Sequence, residues 1–214
     1  LNLTRKITPA KQSVVDGLWT GWEAMGFLGK SLKGKTLGVY GLGRIGQALA
    51  NRCVNGFGMN LIYCAHTEKN MGRRVELDEL LEKSDVISIH CNLTSETDGM
   101  INEQAFSHMT KQPILINTAR GNIVVNTALL KALDQHIIHS AGLDVYDTEL
   151  PGKLPGQVIE HPKVIATGHY AWYSAQSHVA LQQRAAQNLV QMLNNNIPED
   201  CLNPNAGGNK NNFV

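Results

Sequence analysis

Six residues, Gly41-Leu42-Gly43-Arg44-Ile45-Gly46, stand between a short apolar run, Leu37 to Tyr40, and an amphipathic stretch beginning at Ile45. Glycines at this spacing end a strand and open a helix within a few residues, which leaves few folds open. Gly41 supplies the tight turn, Gly43 has no side chain to hold another group off the backbone, and Gly46 lets the helix lie close on the strand. The amides of a first helical turn lack intrahelical partners and sit at the positive end of the helix dipole. Such a turn suits an anion, and with this spacing the anion is the pyrophosphate of a dinucleotide. Gly41, Gly43, Arg44, Ile45 and Gly46 are therefore candidate cofactor-binding residues. The same glycines also allow a strand-to-helix turn with no ligand.

Short apolar runs alternate with amphipathic stretches through most of the chain, the pattern of strand-helix-strand units around a parallel sheet. Strands are predicted at Leu37 to Tyr40, Asn60 to Cys64, Val86 to His90, Ile114 to Asn117, Ser140 to Val145 and Val164 to Thr167. Helices are predicted at Ile45 to Asn55, Leu77 to Lys83 and Asn126 to Gln135, with Asn126 as an N-cap, and Ser174 caps a last helix reaching about Leu193. The fold class is α/β, a doubly wound parallel sheet of the Rossmann type. Leu3 to Val15 reads as helical apart from Pro9, and residues 1–16 form one crossover helix leading into a domain spanning 17–172. Residues 173–196 form the C-terminal helix. In 197–214 little is available to bury: Asn194 to Asn212 holds eight asparagines, and the last ten residues read as a mobile tail.

Composition narrows the partners. Apolar residues at 43% allow a sizeable core, and 19 Lys plus Arg against 18 Asp plus Glu leave no basic excess for nucleic acid or an anionic membrane. No apolar run is long enough to span a bilayer. Cys53, Cys64, Cys91 and Cys201 are 11, 27 and 110 residues apart, which suits neither a zinc pair nor a disulfide framework, so a reducing, cytoplasmic setting is expected. His136 and His139 have no third ligand near in sequence, a strand is expected to begin between them, and no metal is expected.

An acid about 20 residues past the glycine motif would hydrogen-bond the adenosine ribose of NAD. Cys64, Ala65, His66 and Thr67 occupy that turn, and Glu68 lies late. Without a carboxylate to repel it, a 2′-phosphate becomes admissible, with His66, Thr67, Lys69, Arg73 or Arg74 to receive it. The cofactor is NAD or NADP.

The motifs now in hand resemble those of the D-isomer-specific 2-hydroxyacid dehydrogenase family. Leu32-Lys33-Gly34-Lys35-Thr36-Leu37-Gly38, Ile116-Asn117-Thr118-Ala119-Arg120-Gly121, Ala141-Gly142-Leu143-Asp144-Val145 with Glu149, and Thr167-Gly168-His169 with Ala171-Trp172 occur in the family's order. Arg120 and Glu149 are 29 residues apart, Glu149 and His169 20, which also fits. The run Ala171-Trp172-Tyr173-Ser174 is similar to a branch holding phosphoglycerate-dehydrogenase-like proteins and the C-terminal-binding-protein corepressors.

The resemblance implies hydride transfer between NAD(P) and a D-2-hydroxy acid or 2-oxo acid, with Arg120, Glu149 and His169 catalytic. A guanidinium fork suits a substrate carboxylate, an imidazole exchanges protons near neutrality, and a carboxylate beside it fixes its orientation. Cys91, Asn92, Thr118, Ala119 and Asp144 line the cofactor by the same matching, Asp144 beside the nicotinamide carboxamide. His90 is a possible pocket residue. Each catalytic residue also has a structural alternative: a surface ion pair for Arg120, a solvated loop for Glu149, a satisfied buried imidazole for His169.

The chain departs from the family at Gly168, where Pro commonly precedes the histidine, at Leu150, where Pro follows the acid, and at Ala65. A freer backbone at Gly168 is expected to hold His169 less firmly. Family members carry a second, smaller lobe, most of which this chain lacks, so the isolated chain is expected to bind dinucleotide and turn over poorly or not at all. Trp19, Trp22, Phe27 and Leu28 on the glycine-rich loop 17–34 suit either packing against their own domain or a subunit interface, and the resemblance, in which the nucleotide domain dimerises, implies a homodimer. A nucleotide-responsive, protein-binding scaffold like the corepressors is the alternative function.

Overall fold

Short runs rich in Leu, Ile and Val, buried on both faces, pair as parallel strands whose crossovers supply the covering helices. In a computed structural model, which describes residues 1–22, 26–149 and 154–204, seven strands form one sheet, the inner ones being such runs. They are β1 (Thr36–Tyr40), β2 (Asn60–Cys64), β3 (Arg73–Arg74), β4 (Val86–Ile89), β5 (Ile114–Asn117), β6 (Ser140–Leu143) and β7 (Val164–Ala166), ordered β3-β2-β1-β4-β5-β6-β7. All pairings are parallel. The order reverses at β1, which lies between β2 and β4, and a crevice for ligands opens there at the carboxyl ends of the strands. The Rossmann-type α/β expectation is met.

The helices are α1 (Asn2–Arg5), α2 (Ile7–Val15), α3 (Arg44–Phe57), α4 (Leu77–Lys83), α5 (Glu103–Ser107), α6 (Asn126–Asp134), α7 (Gly156–Ile159) and α8 (Ala175–Leu193). Alternation along β2 divides the core: Leu61 and Tyr63 join Leu37, Val39 and Ala50 beside α3, whereas Ile62 joins the larger cluster of Leu80, Phe106, Leu129 and Ala141 with α4 to α7. The chain from Leu1 to His169 forms one structural unit, and Tyr170 onward forms a second.

The predicted strands and helices agree with those observed to within about two residues at each end. Edge strand β3 is an addition; two residues are too few to show a period. Three expectations need correction. The crossover segment is two helices, broken at Lys6 in a left-handed conformation (φ 51°). Pro9 lies inside α2, and its ring excludes the carbonyl four residues back, at Arg5, so the break falls just before the proline's own helix. Asn126 does not cap α6: Val125 does, because Ile101 bridges Val124 and accepts the Val125 amide, holding the chain extended to 125. Strand β6 begins at Ser140, after both His136 and His139, since His136 ends the preceding turn at φ 59°.

The amino end of the sheet is pinned by Asp85, which accepts the Thr36 amide at 2.9 Å and pairs with Lys35 at 3.2 Å. Burial alone would raise its carboxyl, but the Thr36 amide, Lys35 and Lys111 outweigh burial and hold it below the usual carboxylate value. A depressed folded-state value stabilises the fold above about pH 4 and ceases to do so as pH falls through the lower value. Asp85→Asn is expected to cost about 1–2 kcal/mol in urea unfolding at pH 7, allowing for partial exposure, and progressively less as pH falls below the ordinary carboxylate value.

In the second unit, Ser174 caps α8 as expected, in a reciprocal box: the Ser177 amide donates to Ser174 Oγ (3.1 Å) and the Ser174 amide to Ser177 Oγ (2.9 Å). Arg184 pairs with Asp200 (2.5 Å) and Glu199 (2.8 Å), fastening that part of 197–204 to the helix. Residues 205–214 of the expected tail, and Leu150, lie outside the described residues.

Candidate active site

At the glycine turn, Gly41 adopts φ 94°, and a Cβ there would lie 2.6 Å from the Cys91 amide nitrogen. Only glycine fits where β1 approaches the end of β4 this closely. A Cβ on Gly46 would lie 2.5 Å from the Gly41 carbonyl oxygen, so α3 can start only with hydrogen at that position. A Cβ on Gly43, by contrast, would meet nothing within 4 Å. The first helical bond runs from the Gln47 amide to the Gly43 carbonyl, and no side chain caps the turn. Free amides beneath open space are what a pyrophosphate requires, and the turn fits the group. Arg44 and Ile45 are exposed there, Ile45 to 71%, which is high for an apolar residue on a helix that packs on the sheet.

His66 and Thr67 lie exposed beyond the end of β2, and Ala65 occupies the position of the ribose acid. At the end of β4, Cys91 is half-buried, and burial pushes its thiol up to about 11, so it presents a protonated, weakly polar surface rather than a nucleophile. His90 beside it bonds Ser88 Oγ through Nε2 at 2.8 Å, and burial lowers its value. The carbonyl of exposed Asn92 accepts Thr97 Oγ at 2.7 Å, which holds the loop after β4 in place.

The ends of β5, β6 and β7 carry the remaining candidates. Buried Asn117, the last residue of β5, shapes the following loop: its Oδ1 accepts the Ala119 amide (3.0 Å) and its Nδ2 donates to the Arg120 carbonyl (2.9 Å). Thr118 is half-buried and Ala119 buried in that loop. Arg120 is exposed and its guanidinium donates to the Ala119 carbonyl at 2.6 Å; among the described residues no carboxylate lies within 4 Å of it. The surface ion pair offered as its structural alternative is therefore absent among those residues.

Buried Asp144, just past β6, accepts Thr167 Oγ at 2.5 Å, and its carbonyl accepts the His169 amide at 2.9 Å. His169 Nδ1 lies 3.2 Å from Glu149 Oε2. Both side chains are about half exposed, 48% and 46%, which argues against a histidine merely satisfied in the core. His169 itself, not Gly168, carries the left-handed backbone, at φ 62°. Such a conformation costs a non-glycine residue about 1 kcal/mol or more and needs its surroundings to hold it. Here the Asp144 carbonyl and the Glu149 carboxylate do so. The Gly168 departure thus leaves His169 held by two hydrogen bonds rather than by a preceding ring.

Tyr146 was not singled out in the sequence. Its hydroxyl donates to the Thr167 carbonyl (2.9 Å) and its amide approaches Glu149 Oε1 (3.5 Å), so it ties the Glu149 loop to the strand that leads to His169. No periodicity marks such a residue; a buried Tyr just past a strand end is the only sign.

A family profile described as D-isomer specific 2-hydroxyacid dehydrogenase, NAD binding domain, matches residues 1–171. The chain belongs to this family. It is 38% identical over 213 residues to the glyoxylate reductase of Thermococcus litoralis, covering 95% of this chain and 63% of that protein. It is 37% identical over 210 residues to glyoxylate/hydroxypyruvate reductase B of Serratia proteamaculans, covering 95% and 64%. The crystal structure of the TT0316 protein from Thermus thermophilus superposes with a TM-score of 0.86 at 37% identity, covering 93% of this chain and 63% of that one. The chain thus spans just under two thirds of these relatives and comprises the family's NAD-binding domain. The scaffold alternative draws no support from these comparisons.

Proposed function

We propose that this dehydrogenase-family chain is the cofactor-binding and acid–base part of an oxidoreductase that interconverts 2-oxo acids and D-2-hydroxy acids. The observation that carries the reading is the His169–Glu149 contact of 3.2 Å, on the same carboxyl edge of the sheet as the glycine turn. Glu149 engages Nδ1, which leaves Nε2 for the substrate oxygen. In reduction, Nε2 gives its proton to the carbonyl oxygen as the alcohol forms; in oxidation, the same nitrogen takes the hydroxyl proton back. Arg120, unpaired with any carboxylate among the described residues, holds the substrate carboxylate through its fork. A bound nicotinamide supplies or accepts the hydride at the carbon bearing that oxygen. Gly41, Gly43, Arg44, Ile45, Gly46, His66, Thr67, Cys91, Asn92, Thr118, Ala119 and Asp144 bind the cofactor in this reading.

The relatives' names support glyoxylate or hydroxypyruvate as substrate, both small 2-oxo acids that leave room for a carboxylate-binding Arg. With the domain spanning under two thirds of those relatives, the isolated chain binds dinucleotide and reduces 2-oxo acids slowly or not at all. Absorbance at the nicotinamide band, followed with NADH and NADPH against glyoxylate and hydroxypyruvate, tests the proposal. Turnover is expected only when a substrate lobe is present; brisk turnover by the 214-residue chain would refute the dependence on that lobe, and no turnover in either form would refute the reaction.

A homodimer fits the loop around Trp19 and Trp22, exposed to 66% and 88%, where Phe27 and Leu28 border an apolar hollow of about 300 Å³. Sedimentation at micromolar concentration is expected to show a dimer; a monomer would overturn this. The four cysteines are unpaired, which supports a cytoplasmic setting, and among the described residues no helix is long and apolar enough to cross a membrane.

A further inference from the structure

Edge strand β3 brings a cation to the place where the ribose acid is missing. Arg74 is paired in register with Tyr63 of β2, and its Nε donates to the Ala65 carbonyl at 2.9 Å. Nine residues separate Arg74 from Ala65, and the intervening loop is fastened at both ends. The Lys69 amide donates to the Tyr63 hydroxyl at 2.8 Å. Gly72, at φ 64°, passes so close to β2 that a Cβ there would lie 2.6 Å from Leu61 Cγ. The guanidinium is therefore seated by the fold although its side chain is exposed.

Its neighbour on the strand is less suited. Arg73, one residue earlier on the opposite side of the strand, is engaged by Glu79 at 2.6 Å. Arg74 has no carboxylate within 4 Å among the described residues, and with Nε on Ala65 its two terminal nitrogens keep their N–H groups for a ligand. Both Arg74 and Glu76 act on the Cys64 thiol at the end of β2, Glu76 raising its value and Arg74 lowering it. Glu76 is thus an acid to weigh, yet among the described residues neither it nor any other carboxylate forms an ion pair with Arg74.

From this juxtaposition we infer that Arg74, with Thr67 and His66 of the turn that follows Ala65, receives the 2′-phosphate of NADP(H), so that the chain selects the phosphorylated dinucleotide. The inference rests on the dinucleotide site proposed above. A planar fork with two free nitrogens matches phosphate oxygens, and Ala65 offers no negative charge to repel them.

The test is equilibrium titration of the 214-residue chain with NADPH, NADH, 2′,5′-ADP and 5′-AMP, read by calorimetry. NADPH and 2′,5′-ADP are expected to bind about 10- to 100-fold more tightly than NADH and 5′-AMP, the worth of one or two charge-assisted hydrogen bonds. Arg74→Ala removes most of that preference and leaves 5′-AMP unchanged; Arg74→Lys keeps part of it. Ala65→Asp, which places the missing acid next to Arg74, where it both repels a phosphate and occupies the guanidinium, reverses the preference. Equal affinity of the original chain for NADH and NADPH overturns the role of Arg74 and leaves the dinucleotide site standing. Equal weakening of 5′-AMP and 2′,5′-ADP by Arg74→Ala also overturns it, since the guanidinium then acts on the adenine. Failure of all four ligands to bind overturns both readings.

Discussion

Gly121→Ala is expected to destabilise the chain by at least about 3 kcal/mol, the upper end of what overpacking a tight interior costs. A Cβ on Gly121 would overlap the Tyr146 carbonyl carbon and oxygen and the Asp147 nitrogen. All three atoms are backbone, so no rotamer change relieves the overlap. Either the loop after β5 or the loop after β6 must shift. The first is held by Asn117 through its bonds to Ala119 and Arg120; the second is held by the Tyr146 hydroxyl on Thr167. Moving either displaces a catalytic candidate, because Arg120 immediately precedes Gly121 and the Tyr146 amide faces Glu149. Thermal and urea unfolding should therefore show a melting temperature lower by roughly 6–12 °C, at about 2–4 °C per kcal/mol for a domain of this size. An unchanged melting temperature would mean that the two loops are not in contact as described.

Replacement of His169 is expected to separate chemistry from binding. Asn is the informative substitute: it tolerates the left-handed backbone at φ 62° that most residues resist, and it does not exchange a proton near neutrality. The side chain is half exposed and its backbone amide bond to Asp144 does not depend on the ring. Stability should change by under about 1 kcal/mol. Assayed with the substrate lobe present, kcat for 2-oxo acid reduction should fall about 10²- to 10⁴-fold, the usual worth of a positioned general acid. Dinucleotide affinity measured by calorimetry should stay within about twofold. A drop in kcat of less than tenfold would remove His169 from the reaction, and a parallel loss of dinucleotide affinity would make it a binding residue instead.

Much of the architecture was legible because it is written locally. The strands β1, β2, β4, β5, β6 and β7 are short apolar runs between turn residues, and α3, α4 and α6 carry the helical period, so neighbours within a few residues reveal them. The glycine turn was legible for the same reason: absence of Cβ at 41, 43 and 46 is a property of single positions. What escaped was set by contacts between segments distant in the sequence. Val125 displaced Asn126 as a cap because Ile101 holds the chain extended, and β3 pairs with β2 where Gly72 passes close to Leu61.

Residue types and their order along the chain specify a parallel α/β sheet, a glycine-lined anion turn, and an arginine, an acid and a histidine at spacings characteristic of one family. Local backbone preference and side-chain chemistry suffice for that. Which groups meet was decided by the packed sheet. Parallel pairing of β6 with β7 sets the His169 amide on Asp144 and brings the imidazole within 3.2 Å of Glu149. Pairing of β2 with β3 seats Arg74 on Ala65. Residues 9 to 25 positions apart become neighbours only when strand ends align, and no period along the chain records that alignment.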